Sequence, residues 1–193
     1  MLAVASSNQG SSTIPCKKTR RKKELKMTFQ SSKKLHVVLA NGIIMALYIA
    51  LTLLVSPVAS GMIQFRISES LNHLAVFNRK LMWGVLGGVI FYNLFYGGLG
   101  ILDVIFGGGQ TFLALGLTAL VQKKVPSIPL RLCLNVLFFS VSMFLIAIML
   151  VSTGGEAFWV TYGWLALSEA IIMTISAPIM YAINKKIHFD ERF

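Results

Sequence analysis

Apolar residues run along this chain in long stretches separated by short polar breaks. The first covers residues 35–56, roughly 33 Å of helix and enough for a bilayer core. Further stretches cover 81–96, 101–121, 130–151 and 157–183. Pro57, Pro126 and Pro129 fall at stretch ends, where proline removes no interior hydrogen bond. Pro178 lies inside the last stretch and predicts a kink.

Residues 64–77 break the pattern. They are short and carry Arg66, Glu69, Asn72 and His73, so hydropathy alone makes them a surface helix. Charge parity argues for a crossing. If this segment crosses, Lys33, Lys34, Arg79, Lys80, Lys123, Lys124, Arg131, Lys185, Lys186 and Arg192 share one side, and Arg66 alone faces the other. If it does not, Lys33 and Lys34 oppose every later positive charge. The positive-inside rule prefers the first arrangement. The expectation is an all-α integral membrane protein: a six-transmembrane-helix bundle in a bacterial plasma membrane, with N and C termini cytoplasmic. Its second helix must be shielded by the others.

Composition sharpens this. The chain is 55% hydrophobic and 13% charged, yet its formal net charge is +11. A soluble basic domain carries about 25% charged residues, so a nucleic-acid-binding domain fits poorly. The hydrophobicity excludes a disordered chain. Two cysteines, Cys16 and Cys133, are too few for a disulfide scaffold.

The charge is uneven. Residues 1–34 hold nine Lys/Arg and one acid; residues 35–193 hold nine Lys/Arg and six acids. Three parts follow: a basic leader without regular structure (1–34), a membrane domain (35–186) and a cytoplasmic tail (187–193). Lys23-Glu24 can be back-translated as AAGGAG, a ribosome-binding sequence, shortly before Met27. Translation is therefore expected to start at Met27, with residues 1–26 an untranslated leader read through. A plain cytoplasmic tail and a basic arm for anionic lipid or nucleic acid are the alternatives.

Several chemistries find no support. Gly107-Gly108-Gly109-Gln110-Thr111 lies in a span and lacks the lysine of a phosphate loop. His36, His73 and His188 are far apart, so no metal site is expected. No spacing suggests a nucleophile, base and acid set. The chain reads as a non-enzyme without a cofactor. Uphill movement would draw its energy from a partner or an ion.

An ionisable group in a span costs about 2.5–3.5 kcal/mol on insertion scales and is a functional candidate for that reason. The topology puts Arg66, Glu69, Asn93 and Asp103 near the outer face. Gln110 shares a helix face with Asp103. Trp159, Tyr162 and Glu169, spaced by three and seven, share another face. Together they sketch a pocket opening outward, floored by Glu169 and walled by aromatics. Bland readings stand beside these. Arg66 and Glu69 can neutralise each other, Asp103 can cap its helix, Trp159 can be an interfacial anchor, and Asn135 an interhelical hydrogen bond. Ala46 and Ala50 form an AxxxA pair, and Gly84 and Gly88 a GxxxG pair, which let another helix approach closely.

Ile63-Gln64-Phe65-Arg66-Ile67-Ser68-Glu69, followed by Gly97-Gly98-Leu99-Gly100-Ile101-Leu102-Asp103-Val104-Ile105-Phe106-Gly107, resembles the QueT family. These are substrate-binding S components of energy-coupling-factor (ECF) transporters for queuosine precursors. The resemblance runs from about Leu35 to Lys186. Ser168 stands where the family has glycine, and Asn72-His73 where it is more apolar.

The resemblance implies an importer subunit that binds 7-aminomethyl-7-deazaguanine or a relative. Partners would be a transmembrane coupling subunit, docked through Ala46 and Ala50, and two ATPases. A carboxylate can accept two bonds from the guanine edge, and a second can pair the ammonium. Glu69 and Glu169 suit these roles, Tyr162 or Trp159 could stack, and Arg66 could orient Glu69. Alternatives are an S component for another vitamin-like ligand, an integral-membrane enzyme, and a structural membrane protein.

Overall fold

The computed structural model describes residues 15–55, 67–154 and 157–189. It separates into two compact units, Met1–His36 and Val37–Phe193. Helix α1 is Pro15–Val55. The sequence led to no regular structure before residue 35, but the described part of that stretch is helical from Pro15. Proline is suited to a first helical turn, and Lys, Arg and Glu propagate helix well without an apolar face. Residues 1–14, in the first part of the expected leader, lie outside the described residues, as do 190–193 of the tail.

In the second unit, a 3-10 helix at Ile67–His73 runs into the single turn α2 (Leu74–Phe77), and Arg79–Leu81 forms another 3-10 turn. Then come α3 (Met82–Tyr96), α4 (Ile101–Lys124), α5 (Ile128–Ser142), α6 (Phe144–Ser152) and α7 (Phe158–Ile187). α5 and α6 are one rod interrupted at Met143. Ser140 and Ser142 both turn their hydroxyls back onto carbonyls of the preceding turn, which bends helices. α7 continues through Pro178 to Ile187.

Four helices are long and apolar enough to cross a membrane: Lys34–Val55, Ile101–Lys124, Ile128–Ser152 and Phe158–Ile187. The other two expected crossings are shorter. α3 spans about 22 Å, and the 67–77 segment about 20 Å. The 67–77 segment is the hub of the unit. Ser68, Glu69 and Asn72 to Phe77 are all buried, and it packs on α3, α4, α5 and α7. Leu74, Val76, Leu81, Val85, Leu115, Phe139 and Met173 make the apolar core around it. Its polar groups are covered by neighbouring helices.

Close approach of α1 to α3 depends on the glycine pair. A Cβ at Gly84 would meet the Asn41 carbonyl oxygen at 2.7 Å, and one at Gly88 the Tyr48 Cβ at 2.7 Å. Asn41 then bridges the helices, donating to the Lys80 carbonyl (3.1 Å) and accepting from Gly84 N–H (2.5 Å).

One end of the unit is sealed by side-chain bonds to backbone. Gln122 donates to the Val76 and Phe77 carbonyls, at 3.2 and 2.7 Å, and Asn78 to the Phe189 carbonyl at 3.1 Å. These bonds bring the end of α2, the end of α4 and the residues after α7 together. Arg79, Lys80, Lys123, Lys124, Arg131, Lys185 and Lys186 therefore gather at this end. The lysine pairs also sit in the last turns of α4 and α7, where the helix dipole favours positive charge.

Candidate functional site

Toward the opposite end the helices part around a cavity of about 90 Å³. Its polar wall comes from Tyr48 (α1), Glu69 (the 3-10 helix), Asn93 (α3), Asp103, Gln110 and Thr111 (α4), and Ser168 and Glu169 (α7). Val89, Met143, Ile146, Met149, Leu150 and Leu165 complete it with apolar surface. All but Glu69, whose 3-10 segment is itself polar, interrupt otherwise apolar helices, and the fold has gathered them inside the bundle.

Glu69 is 6% exposed, and each of its oxygens has a donor. Tyr48 Oη donates to Oε1 at 2.9 Å, and Asn72 Nδ2 to Oε2 at 2.5 Å. Asp103 does two things. Its Oδ2 accepts from Leu99 N–H at 2.7 Å, closing the glycine-rich turn before α4, and it also lines the cavity. This bond closes the turn and does not cap the helix: the N-cap of α4 is Gly100, and Leu99 precedes it. Gly100 ends this turn with φ +59°, a left-handed conformation that suits glycine. Asn93 Nδ2 donates to the Asp103 carbonyl at 3.0 Å, and a Cβ on Gly107 would collide with that amide. Gln110 Nε2 donates to Ser142 Oγ at 2.9 Å, across to the break between α5 and α6. Glu169 is 5% exposed on α7, beside Ser168.

The lining residues include three carboxylates and no lysine, arginine or histidine among those described. Two amides and three hydroxyls accompany them. Such a wall accepts hydrogen bonds and offsets positive charge.

Glu69, Asn93, Asp103, Gln110 and Glu169, expected from sequence, share this cavity. Trp159 and Tyr162 are not in its wall. Trp159 is 77% exposed. Tyr162 stacks on Phe158 at 6.1 Å and reaches the Val141 carbonyl at 3.5 Å. Three- and seven-residue spacings share a face only approximately, and here that face turns outward by Tyr162. Arg66 lies outside the described residues.

Tyr48, Thr111, Ser168 and the supporting Asn72 and Ser142 escaped the sequence reading. For Tyr48 a signal existed: Ile44, Tyr48 and Thr52 recur every four residues and form the buried face of α1. Ala46 and Ala50 lie two residues either side of Tyr48, hence on the opposite face, and both are exposed.

A separate polar chain runs through the sealed half. His73 Nε2 lies 2.9 Å from the Met173 carbonyl and Nδ1 3.0 Å from Asn135 Nδ2. The carbonyl can only accept, so Nε2 carries the hydrogen and Nδ1 accepts. Asn135 Oδ1 in turn receives Thr118 Oγ1 at 2.6 Å. Asn135 is therefore an interhelical hydrogen-bonding residue.

No solved structure matches the chain. In sequence it is 33% identical over 167 residues to the queuosine precursor transporter QueT of Lactococcus lactis subsp. cremoris (strain MG1363), covering 82% of this chain and 98% of that protein. Residues 38–185, which hold most of every long span and the whole cavity wall, match the family described as QueT transporter, and the chain belongs to that family.

Proposed function

We propose that this protein is the substrate-binding S subunit of an energy-coupling-factor importer, and that it takes up a queuosine precursor such as 7-aminomethyl-7-deazaguanine. The observation that carries this reading is the carboxylate-rich cavity without a described basic residue. The ligand offers matching groups: N–H donors on its guanine edge and an ammonium on its side chain. Glu69 and Glu169 accept these, with Asp103 adding negative charge at the mouth.

The remaining features support the same reading. Six crossings, counting the 67–77 segment and α3, put both termini and the basic end in the cytoplasm. The cavity then opens outward, toward a substrate to be captured. About 90 Å³ is small beside the ~300–1,000 Å³ of typical ligand sites. A two-ring ligand therefore seats by moving the wall, and Met143 and Met149 are its most adaptable parts. ATP hydrolysis belongs to partner subunits, and the exposed Ala46 and Ala50 face of α1 is where the coupling subunit docks.

Titration of the purified protein tests this. 7-Aminomethyl-7-deazaguanine should bind more tightly than 7-methyl-7-deazaguanine, which lacks the ammonium, and more tightly than any vitamin. Glu69→Gln and Glu169→Gln should each weaken it. Equal affinity for both deazaguanines would overturn the charge-based reading. Preferential binding of a vitamin would overturn the substrate.

A further inference from the structure

We infer that Tyr48 is a positioning residue for the ligand, acting through Glu69; this rests on the functional reading above. The hydroxyl of Tyr48 donates to Glu69 Oε1 at 2.9 Å, and Tyr48 is 1% exposed. Glu69 sits in a short 3-10 helix, a backbone less regular than an α-helix, so its side chain needs external support. That support comes as one donor per oxygen, Tyr48 on Oε1 and Asn72 on Oε2. Two donors at opposite corners fix the carboxylate plane and leave the remaining lone pairs to face the cavity.

The position of Tyr48 is itself set by α3. Its Cβ stands where a side chain on Gly88 would be, at 2.7 Å. The GxxxG pair thus does more than pack two helices. Gly88 admits Tyr48, Tyr48 aims Glu69, and Glu69 meets the ligand. Tyr48 also lies on the helix whose other face carries Ala46 and Ala50, so the carboxylate is anchored to α1 and not only to its own segment.

Tyr48→Phe keeps the ring and its packing on Gly88 and removes only the donor. It should stay folded, with a midpoint lowered by the loss of one buried hydrogen bond, and bind 7-aminomethyl-7-deazaguanine about tenfold more weakly. The loss should persist in a Glu169→Gln background and vanish in a Glu69→Ala background, which removes the acceptor that Tyr48 holds. A residue that merely packs would give the same loss in both. Independently of ligand, the infrared C–O stretch of ring-labelled Tyr48, isolated as wild type minus Tyr48→Phe, should shift when Glu69 becomes Ala and the acceptor is lost. No binding by wild type overturns the functional reading and this inference with it. Wild-type binding with an undiminished Tyr48→Phe, equal losses in both backgrounds, or an unmoved stretch overturns this inference alone.

Discussion

Asn135 Nδ2 donates to His73 Nδ1 at 3.0 Å, joining α5 to the buried segment before α2. The bond is the middle of a chain from Thr118 on α4 to the Met173 carbonyl on α7. His73 and Asn135 are both fully buried, so neither can exchange this partner for water. Four separate elements meet on these side chains. The chain keys the position of the 67–77 segment, which carries Glu69 at its other end.

Asn135→Ala should therefore destabilise the bundle. It leaves His73 Nδ1 without its buried donor, while Thr118 Oγ1 keeps the Ala114 carbonyl, and stranding one such group costs about 1–3 kcal/mol. Thermal unfolding in detergent reads this directly as a lowered midpoint. Ligand affinity of the folded variant should fall by less than in Glu69→Gln, because the chain lies outside the cavity wall and acts only on the segment that carries Glu69. An unchanged midpoint would show that the chain contributes no stability.

The glycines on α3 and α4 make a graded series. Gly84→Ala puts a Cβ 2.7 Å from backbone of Asn41, which cannot rotate away. Overpacking of this kind costs about 1–3 kcal/mol, and here it also strains the Asn41 bridge to α3. Gly116→Ala on α4 meets nothing within 4 Å and should be neutral or slightly stabilising, since alanine is the better helix former. Comparing the two midpoints checks the α1 to α3 contact. Equal midpoints would mean that α1 does not approach α3 this closely.

The two roles of Asp103 can be separated. Asp103→Asn keeps an oxygen to accept from Leu99 N–H, so the turn before α4 should hold and the unfolding midpoint should stay. It removes one negative charge from the cavity, and affinity for the aminomethyl ligand should fall several-fold. Asp103→Ala loses the turn bond as well, and should lower stability by about 1 kcal/mol. If Asn and Ala variants bind equally well and as tightly as wild type, the Asp103 carboxylate only closes the turn.

How much of this was readable in sequence follows from the kind of residue. Asp103, Gln110 and Glu169 stand out because a polar group in an apolar helix demands shielding, and Glu69 because charge parity favours a crossing for its polar segment; shielding in one small bundle brings such groups together. Trp159 and Tyr162 carry no such demand. An amphipathic ring is equally at home against lipid or at the interface, so helical spacing alone could not turn them inward. Tyr48 is the converse: its ring suits an apolar helix, and its hydroxyl partner lies 21 residues away. Helix from Pro15 was hidden for a different reason, because Lys and Arg runs propagate helix without apolar periodicity. Trp159→Ala and Tyr162→Phe should accordingly leave ligand affinity unchanged within twofold in a binding titration. A tenfold loss from either would bring the aromatics back to the site.

The last expectation concerns α1. Only 17% of its apolar window is buried, the lowest share of the four long spans, and its inward contacts run through Asn41, Ile44, Tyr48 and Thr52. Ala46 and Ala50 are on the other face, and side chains there extend away from the bundle. Ala46→Leu therefore adds volume at an exposed position. Stability and ligand binding should be those of wild type. Uptake of the ligand by cells carrying the coupling subunit and ATPases should fall sharply, since a leucine there holds a docking helix off the small-residue seam. Measuring binding and uptake on the same variant separates the two faces of α1. Loss of binding would place Ala46 in the bundle's own packing, and full uptake would remove this face from docking.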